Sequence, residues 1–185
     1  GKNDKRWRIE HAQIVHPDDY RYFREYNIIP SVQTTHATSD MYWADERLGD
    51  RIEYAYTYQT LLQQNGWLPN GSDFPIESIN PLLGFFAGVA RKDLEGYPED
   101  GFQSDEALNW EQALRAMTIW AARAGFEEDD RGSLEPGKSA DFVVLDTDLM
   151  EDELEKIPEA RVLSTFISGE EVFTPSQIEA GSLNL

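Results

Sequence analysis

Cysteine is absent from the 185 residues. Its absence excludes a disulfide framework, a thiolate nucleophile and thiolate metal ligands together. Histidine is scarce: three residues, at positions 11, 16 and 36, carry all the imidazole chemistry available. No apolar run approaches the roughly 20 residues of a membrane-spanning helix. No basic-then-apolar leader follows Gly1, so any signal peptide is absent or already removed, and a cytoplasmic location is expected. Positive charge is short as well, with 16 Lys+Arg against 35 Asp+Glu and a net charge of −19. Such a surface repels nucleic acid and anionic membrane, and neither is expected as a partner. The densest acidic stretches, 127–130 and 151–153, read as solvated faces.

What remains suits a folded protein, since 40% of residues are hydrophobic and 12% aromatic. The length allows one core, or one domain with part of another. Residues 7–14 suit a short buried strand, and Pro17 opens a short helix reaching Tyr26. Residues 28–34 read as a second strand, interrupted by Pro30. Asp50 is placed to cap a helix over 51–64, with Ile52, Ala55, Tyr58, Leu61 and Leu62 as its buried stripe and Gly66 as its stop. Residues 67–73 form a third, weaker strand. Asn80-Pro81 starts a helix that buries Leu82, Phe85, Phe86 and Val89. Beyond a loop over 92–103, Asn109 and Gln112 have capping-box spacing for a helix ending at Gly125. Residues 141–146, then 162–168 and Val172-Phe173 across the turn at Gly169-Glu170, read as a strand and a hairpin.

Strand and helix in alternation are the grammar of a parallel α/β fold. In an eight-stranded α/β barrel, functional residues gather where strands end. His11 closes the run Arg8-Ile9-Glu10, Asp73 follows Asn70-Gly71-Ser72, and His36 lies just past the second strand. A histidine and a carboxylate delivered from two strand ends commonly build a hydrolytic metal site. Plainer readings stand beside this one. His11 could be a hydrogen-bonded structural residue, and Asp73 a turn aspartate. His36 could join Thr34, Thr35 and Thr38 in a polar loop network, and Trp43 could be packing. His16, before Pro17, reads as a helix start, and Asp141 as a structural strand opener.

Three ordered motifs carry a resemblance: Arg8-Ile9-Glu10-His11-Ala12-Gln13, Ser31-Val32-Gln33-Thr34-Thr35-His36-Ala37-Thr38-Ser39-Asp40 and Gly71-Ser72-Asp73-Phe74-Pro75. With Asn80-Pro81, Arg91 and the segment 132–146, they resemble the metal-dependent amidohydrolase superfamily. The branch is its family 3, which includes N-substituted formamide deformylase-like enzymes. The resemblance implies a partial (β/α) barrel of the TIM type, about strands six to eight, over residues 1–126. Part of a small β-sandwich would follow over 127–185. It implies His11 and Asp73 as metal ligands, and Asp73 also as the catalytic group that takes a proton from the attacking water. His36 would meet a small amide-type substrate; beside the resemblance, the cluster of Met41, Tyr42 and Trp43 could line its pocket, and Gln33 is a further candidate contact. The metal would be a divalent ion, zinc by expectation, in the full-length protein.

The superfamily's first-strand His-x-His pair, its middle-strand carboxylate or carboxylated lysine and its fifth-strand histidine have no match here. The chain then corresponds to the C-terminal third of a hydrolase of C–N bonds. Alone it is expected to be inactive, to hold no metal tightly and to self-associate through uncovered strand edges. The alternative is a non-catalytic β/α binding or structural module that retains the fold.

Overall fold

The backbone itself cuts the first strand short. In the computed structural model, which describes residues 1–176, β1 spans only Arg8–Ile9. His11 and Ala12 both turn to positive φ, at 67° and 35°, and end it. The expected buried strand over 7–14 is therefore corrected: both β1 residues are exposed, and Ile14 makes only an isolated antiparallel bridge to Ala55. Strand β2, Ile29–Pro30, is buried and pairs in parallel with β1, Arg8 opposite Ile29 and Ile9 opposite Pro30. Pro30 is tolerated because Ile29 and Ser31 supply the N–H donors, to Trp7 and Ile9 carbonyls at 2.8 and 3.0 Å. The third strand shrinks to one parallel bridge, Val32 to Asn70. Pro69 has no N–H to give, and Asn70 N–H turns instead to the Ala116 carbonyl at 3.0 Å.

A 3₁₀ turn, Pro17–Asp19, leads into α1, Tyr20–Tyr26. His16 caps that turn through its ring nitrogen, as the sequence suggested. Directly after Gln33 comes α2, Thr34–Asp40, where the sequence reading had only a turn. Helix α3, Ala44–Leu48, follows. The single helix expected over 51–64 is replaced by a 3₁₀ segment, Gly49–Tyr54, and α4, Tyr58–Asn65. The break is tertiary in origin. Tyr56 takes φ 55° and donates its N–H to the Gln13 carbonyl at 2.7 Å, so this backbone pairs with 13–15 instead of coiling. Gly66 ends α4 at φ 77° as expected.

Helix α5, Pro81–Ala90, starts at Asn80, whose side chain accepts Leu82 N–H. It is buried nearly all round. Gly84 and Gly88 let it lie close to its neighbours: a Cβ at Gly84 would stand 3.1 Å from Asn70 Nδ2, and one at Gly88 3.1 Å from Thr34 Cγ2. The capping box at Asn109 and Gln112 forms and opens α6, Trp110–Met117. Thr118 breaks the run expected to reach Gly125, at φ −123° and ψ −99°, and α7, Ile119–Ala124, continues beyond it.

Strands β3 (Phe142–Leu145), β4 (Val162–Ile167) and β5 (Glu170–Phe173) make an antiparallel sheet in the order β3-β4-β5. The β4–β5 turn has Ser168 and Gly169 at positive φ, the geometry of a tight hairpin. Asp141 accepts Ser168 N–H at 2.7 Å, a structural role as expected. A 3₁₀ segment, Leu154–Glu159, brings Ile157 back into the main core beside Phe85, Leu61, Leu68, Tyr58 and Leu108. The fold is thus mixed α/β. Among the described residues no helix is long and apolar enough to cross a membrane.

Candidate functional site

Three polar side chains meet past the ends of β1, β2 and the Val32–Asn70 bridge. Asp73 Oδ2 lies 3.8 Å from His11 Nδ1 and 3.7 Å from His36 Nε2. The two imidazoles stack with centroids 5.8 Å apart and planes 24° from parallel. They differ in depth: the side chains of His11 and Asp73 are 48% and 35% exposed, that of His36 only 11%. Solvent therefore reaches the carboxylate, while His36 lies beneath it.

Both outer residues sit in left-handed backbone. His11 has φ 67° and Asp73 φ 56°. Asp and His tolerate this region better than most residues, yet it persists only where the surroundings enforce it. At Asp73 the bend is held by Ser72 Oγ, which accepts Phe74 N–H at 3.2 Å, and by the Asp73 carbonyl, which accepts Ile76 N–H at 2.8 Å. Helix α2 holds His36, whose N–H donates to the Gln33 carbonyl at 3.1 Å.

Gln33 is 6% exposed, and its Oε1 lies 2.9 Å from His11 Nδ1. Its carbonyl also accepts the Tyr58 hydroxyl at 2.9 Å. Burial pushes the Tyr58 phenol pKa up, so this hydroxyl keeps its proton and stays a donor. His36 Nε2 is buried with no hydrogen-bond partner. Leaving such an atom unpaired costs about 1–3 kcal/mol, so the position asks for a bound group.

Trp43 stands apart. It is 46% exposed before α3, and neither hydrogen bond nor ring contact joins its side chain to the cluster. Its neighbour Tyr42 stacks on Tyr97 and hydrogen-bonds Asp93, which raises the phenol pKa to about 12.

Two supporting residues escaped the sequence reading. Asn70 Oδ1 accepts Thr34 N–H at 2.9 Å and so caps α2 from 36 positions away. Tyr58, read only as core, anchors Gln33. Neither leaves a local signal, because the partner is distant in sequence.

Two imidazoles and a carboxylate are ligand types that zinc takes. The donor set therefore fits a divalent metal in kind. As placed, these side chains do not make a site: among the described residues, no group of three His, Cys, Asp or Glu side chains could hold a metal ion by itself.

The amidohydrolase family model matches residues 1–173. The chain is 38% identical over 175 residues to Protein LONG AFTER FAR-RED 3 of Arabidopsis thaliana, covering 94% of this chain and 30% of that protein. It is 30% identical over 176 residues to amidohydrolase YtcJ of Bacillus subtilis (strain 168), covering 95% and 33%. Among solved structures, an uncharacterised metal-dependent hydrolase of Pyrococcus horikoshii OT3 superposes with a TM-score of 0.72 at 31% identity, covering 82% of this chain and 31% of that one. The chain thus spans 30–33% of the length of these two curated relatives.

Proposed function

The chain belongs to the amidohydrolase family, and on that premise we propose that it is part of a metal-dependent hydrolase that cleaves C–N bonds in amides, formamides or cyclic amides. Residues 1–126 would supply the last strands of a (β/α) barrel, and 127–185 part of a β-sandwich; residues 177–185 of that span lie outside the described residues. The parallel β1–β2 pair and the separate antiparallel sheet support this division.

One observation carries the reading: a single carboxylate oxygen, Asp73 Oδ2, faces both imidazoles at 3.7 and 3.8 Å. His11 and Asp73 would hold a divalent ion, with zinc proposed. When bound, such an ion acidifies its water and polarises the scissile carbonyl. Asp73, partly open to solvent, would accept a proton from the attacking water. His36 Nε2, buried and otherwise unpartnered, hydrogen-bonds the substrate beside that carboxylate. The Gln33 amide nitrogen and exposed Trp43 complete the proposed substrate contacts.

A chain spanning 30–33% of these relatives' length is proposed to be inactive alone, and the alternative reading is a non-catalytic β/α binding or structural module that retains the fold. Zinc content and hydrolysis of an N-substituted formamide separate the two. A form extended to the relatives' length is expected to hold zinc and hydrolyse the substrate, and Asp73→Asn to abolish turnover. An extended form without zinc, or an active Asp73→Asn variant, would overturn the hydrolase reading.

A further inference from the structure

We infer that Gln33 is the positioning residue that fixes His11 as its Nδ1–H tautomer, leaving the Nε2 lone pair free for the ion. This deepens the metal reading above and rests on it for the role of Nε2. The tautomer itself follows from contacts within the chain. Gln33 Oε1 lies 2.9 Å from His11 Nδ1, and a carbonyl oxygen can only accept. The next acceptor near the same nitrogen is Asp73 Oδ2, at 3.8 Å. Gln33 thus places the proton on Nδ1, since Asp73 at 3.8 Å is beyond hydrogen-bond reach.

His11 needs such a partner. Its side chain is 48% exposed after a two-residue strand, and Gln33 Oε1 is the hydrogen-bond partner of its ring. A free histidine side chain in water favours the opposite tautomer, Nε2–H. Gln33 can impose the choice because it is itself immobilised. It is 6% exposed, and its carbonyl accepts both the Tyr58 hydroxyl at 2.9 Å and His36 N–H at 3.1 Å. Val32 before it is bonded on both sides, donating to the Pro69 carbonyl and accepting from Gly71 N–H, each at 3.0 Å. One residue thereby sets both imidazoles: His11 through its side chain and His36 through its backbone. The near-parallel stacking of the two rings fits a common support. Groups that orient a ligating histidine in this way typically change metal affinity about 10–100-fold when removed.

The test is a long-range ¹H–¹⁵N correlation spectrum of this chain at about pH 8.5, where imidazole is neutral. With three histidines, assignment needs one substitution each. Wild type is expected to show His11 as Nδ1–H. Gln33→Leu, close in size but without an acceptor, is expected to shift it to Nε2–H. Gln33→Glu, which keeps an acceptor, is expected to retain Nδ1–H. In the extended protein, Gln33→Leu is expected to weaken zinc binding about 10–100-fold, with Gln33→Glu recovering most of the loss. An Nε2–H wild type, or Nδ1–H persisting in Gln33→Leu, would overturn the inference, and the wild-type spectrum does so without any variant. Absence of zinc from the extended wild type would instead overturn the metal reading and leave the tautomer result standing.

Discussion

Replacing Asn70 with Ala severs the tie between the two halves of the site. Asn70 Oδ1 accepts Thr34 N–H at 2.9 Å, and its Nδ2 donates to Thr34 Oγ1 at 3.0 Å. That hydroxyl in turn donates to the Gly84 carbonyl at 2.6 Å, and Thr34 is fully buried. The substitution removes two hydrogen bonds and leaves a buried N–H without an acceptor, a loss of about 2–4 kcal/mol. Against a total stability of about 5–15 kcal/mol this is large. In a chain of this size it corresponds to a fall in Tm of about 5–15 °C. Urea denaturation should show a lower midpoint with an unchanged slope. Thr34→Val provides the second arm of a double-mutant cycle, since it removes the hydroxyl and keeps the N–H. The two changes should couple by about 1 kcal/mol, the worth of the shared Nδ2–Oγ1 bond. A midpoint unmoved by Asn70→Ala would refute the assignment of Asn70 as the distant cap of α2, and strict additivity within about 0.3 kcal/mol would refute the Nδ2–Oγ1 bond.

Gly132 has φ 91°, and a Cβ there would stand 2.7 Å from Ala122 Cβ and 3.0 Å from Ile119 Cα. Gly132→Ala is expected to cost about 2–4 kcal/mol by chemical denaturation, through backbone strain and overpacking combined. Gly137→Ala, at φ 100° but in open space, should cost clearly less, and equal losses would contradict the packing argument. Asp146 accepts Arg161 N–H at 2.8 Å and Arg161 Nε–H at 2.7 Å, which together hold its carboxyl down at about 2. The folded value lies below the ordinary one of about 3.9, so this stabilisation is complete above about pH 4 and is lost as the pH falls toward 2. Asp146→Asn should flatten the acid dependence of the urea midpoint in that window, and an unchanged slope would contradict the pairing. Trp7, Ile9, Phe74, Ile76 and Ile79 are all exposed, around β1 and the segment after Asp73. Self-association of this chain is therefore expected in a sedimentation concentration series, and a compact monomer at high concentration would exclude it.

Local chemistry was legible in the sequence and distant chemistry was not. Asn80-Pro81, Asn109 with Gln112, and Gly66 each mark a helix end through atoms within four residues, and each is found where the pattern put it. The hairpin is legible for the same reason, with its turn one residue earlier than expected, at Ser168-Gly169 rather than Gly169-Glu170. Helix α2 was not, because Thr34-Thr35-His36-Ala37-Thr38-Ser39 is a poor helix former and its cap comes from Asn70. The break at Tyr56 was missed because Gln13, 43 positions earlier, takes its N–H. In the candidate site, His11, His36 and Asp73 could be picked out as residues at or just past expected strand ends, and the fold brings these three together. The contact of Gln33 with His11 and the anchoring of Gln33 by Tyr58 could not, since neither spacing nor residue type announces them. Trp43 was singled out by aromatic clustering, which reports packing as readily as a pocket wall.

The most direct measurement is a zinc-edge anomalous difference map of the protein extended to the relatives' length. One peak is expected with a His11 ring nitrogen and an Asp73 carboxylate oxygen both within about 2.0–2.2 Å of it. A peak that excludes either residue, or zinc bound while these two groups face only solvent and each other, would contradict their assignment to a shared ion.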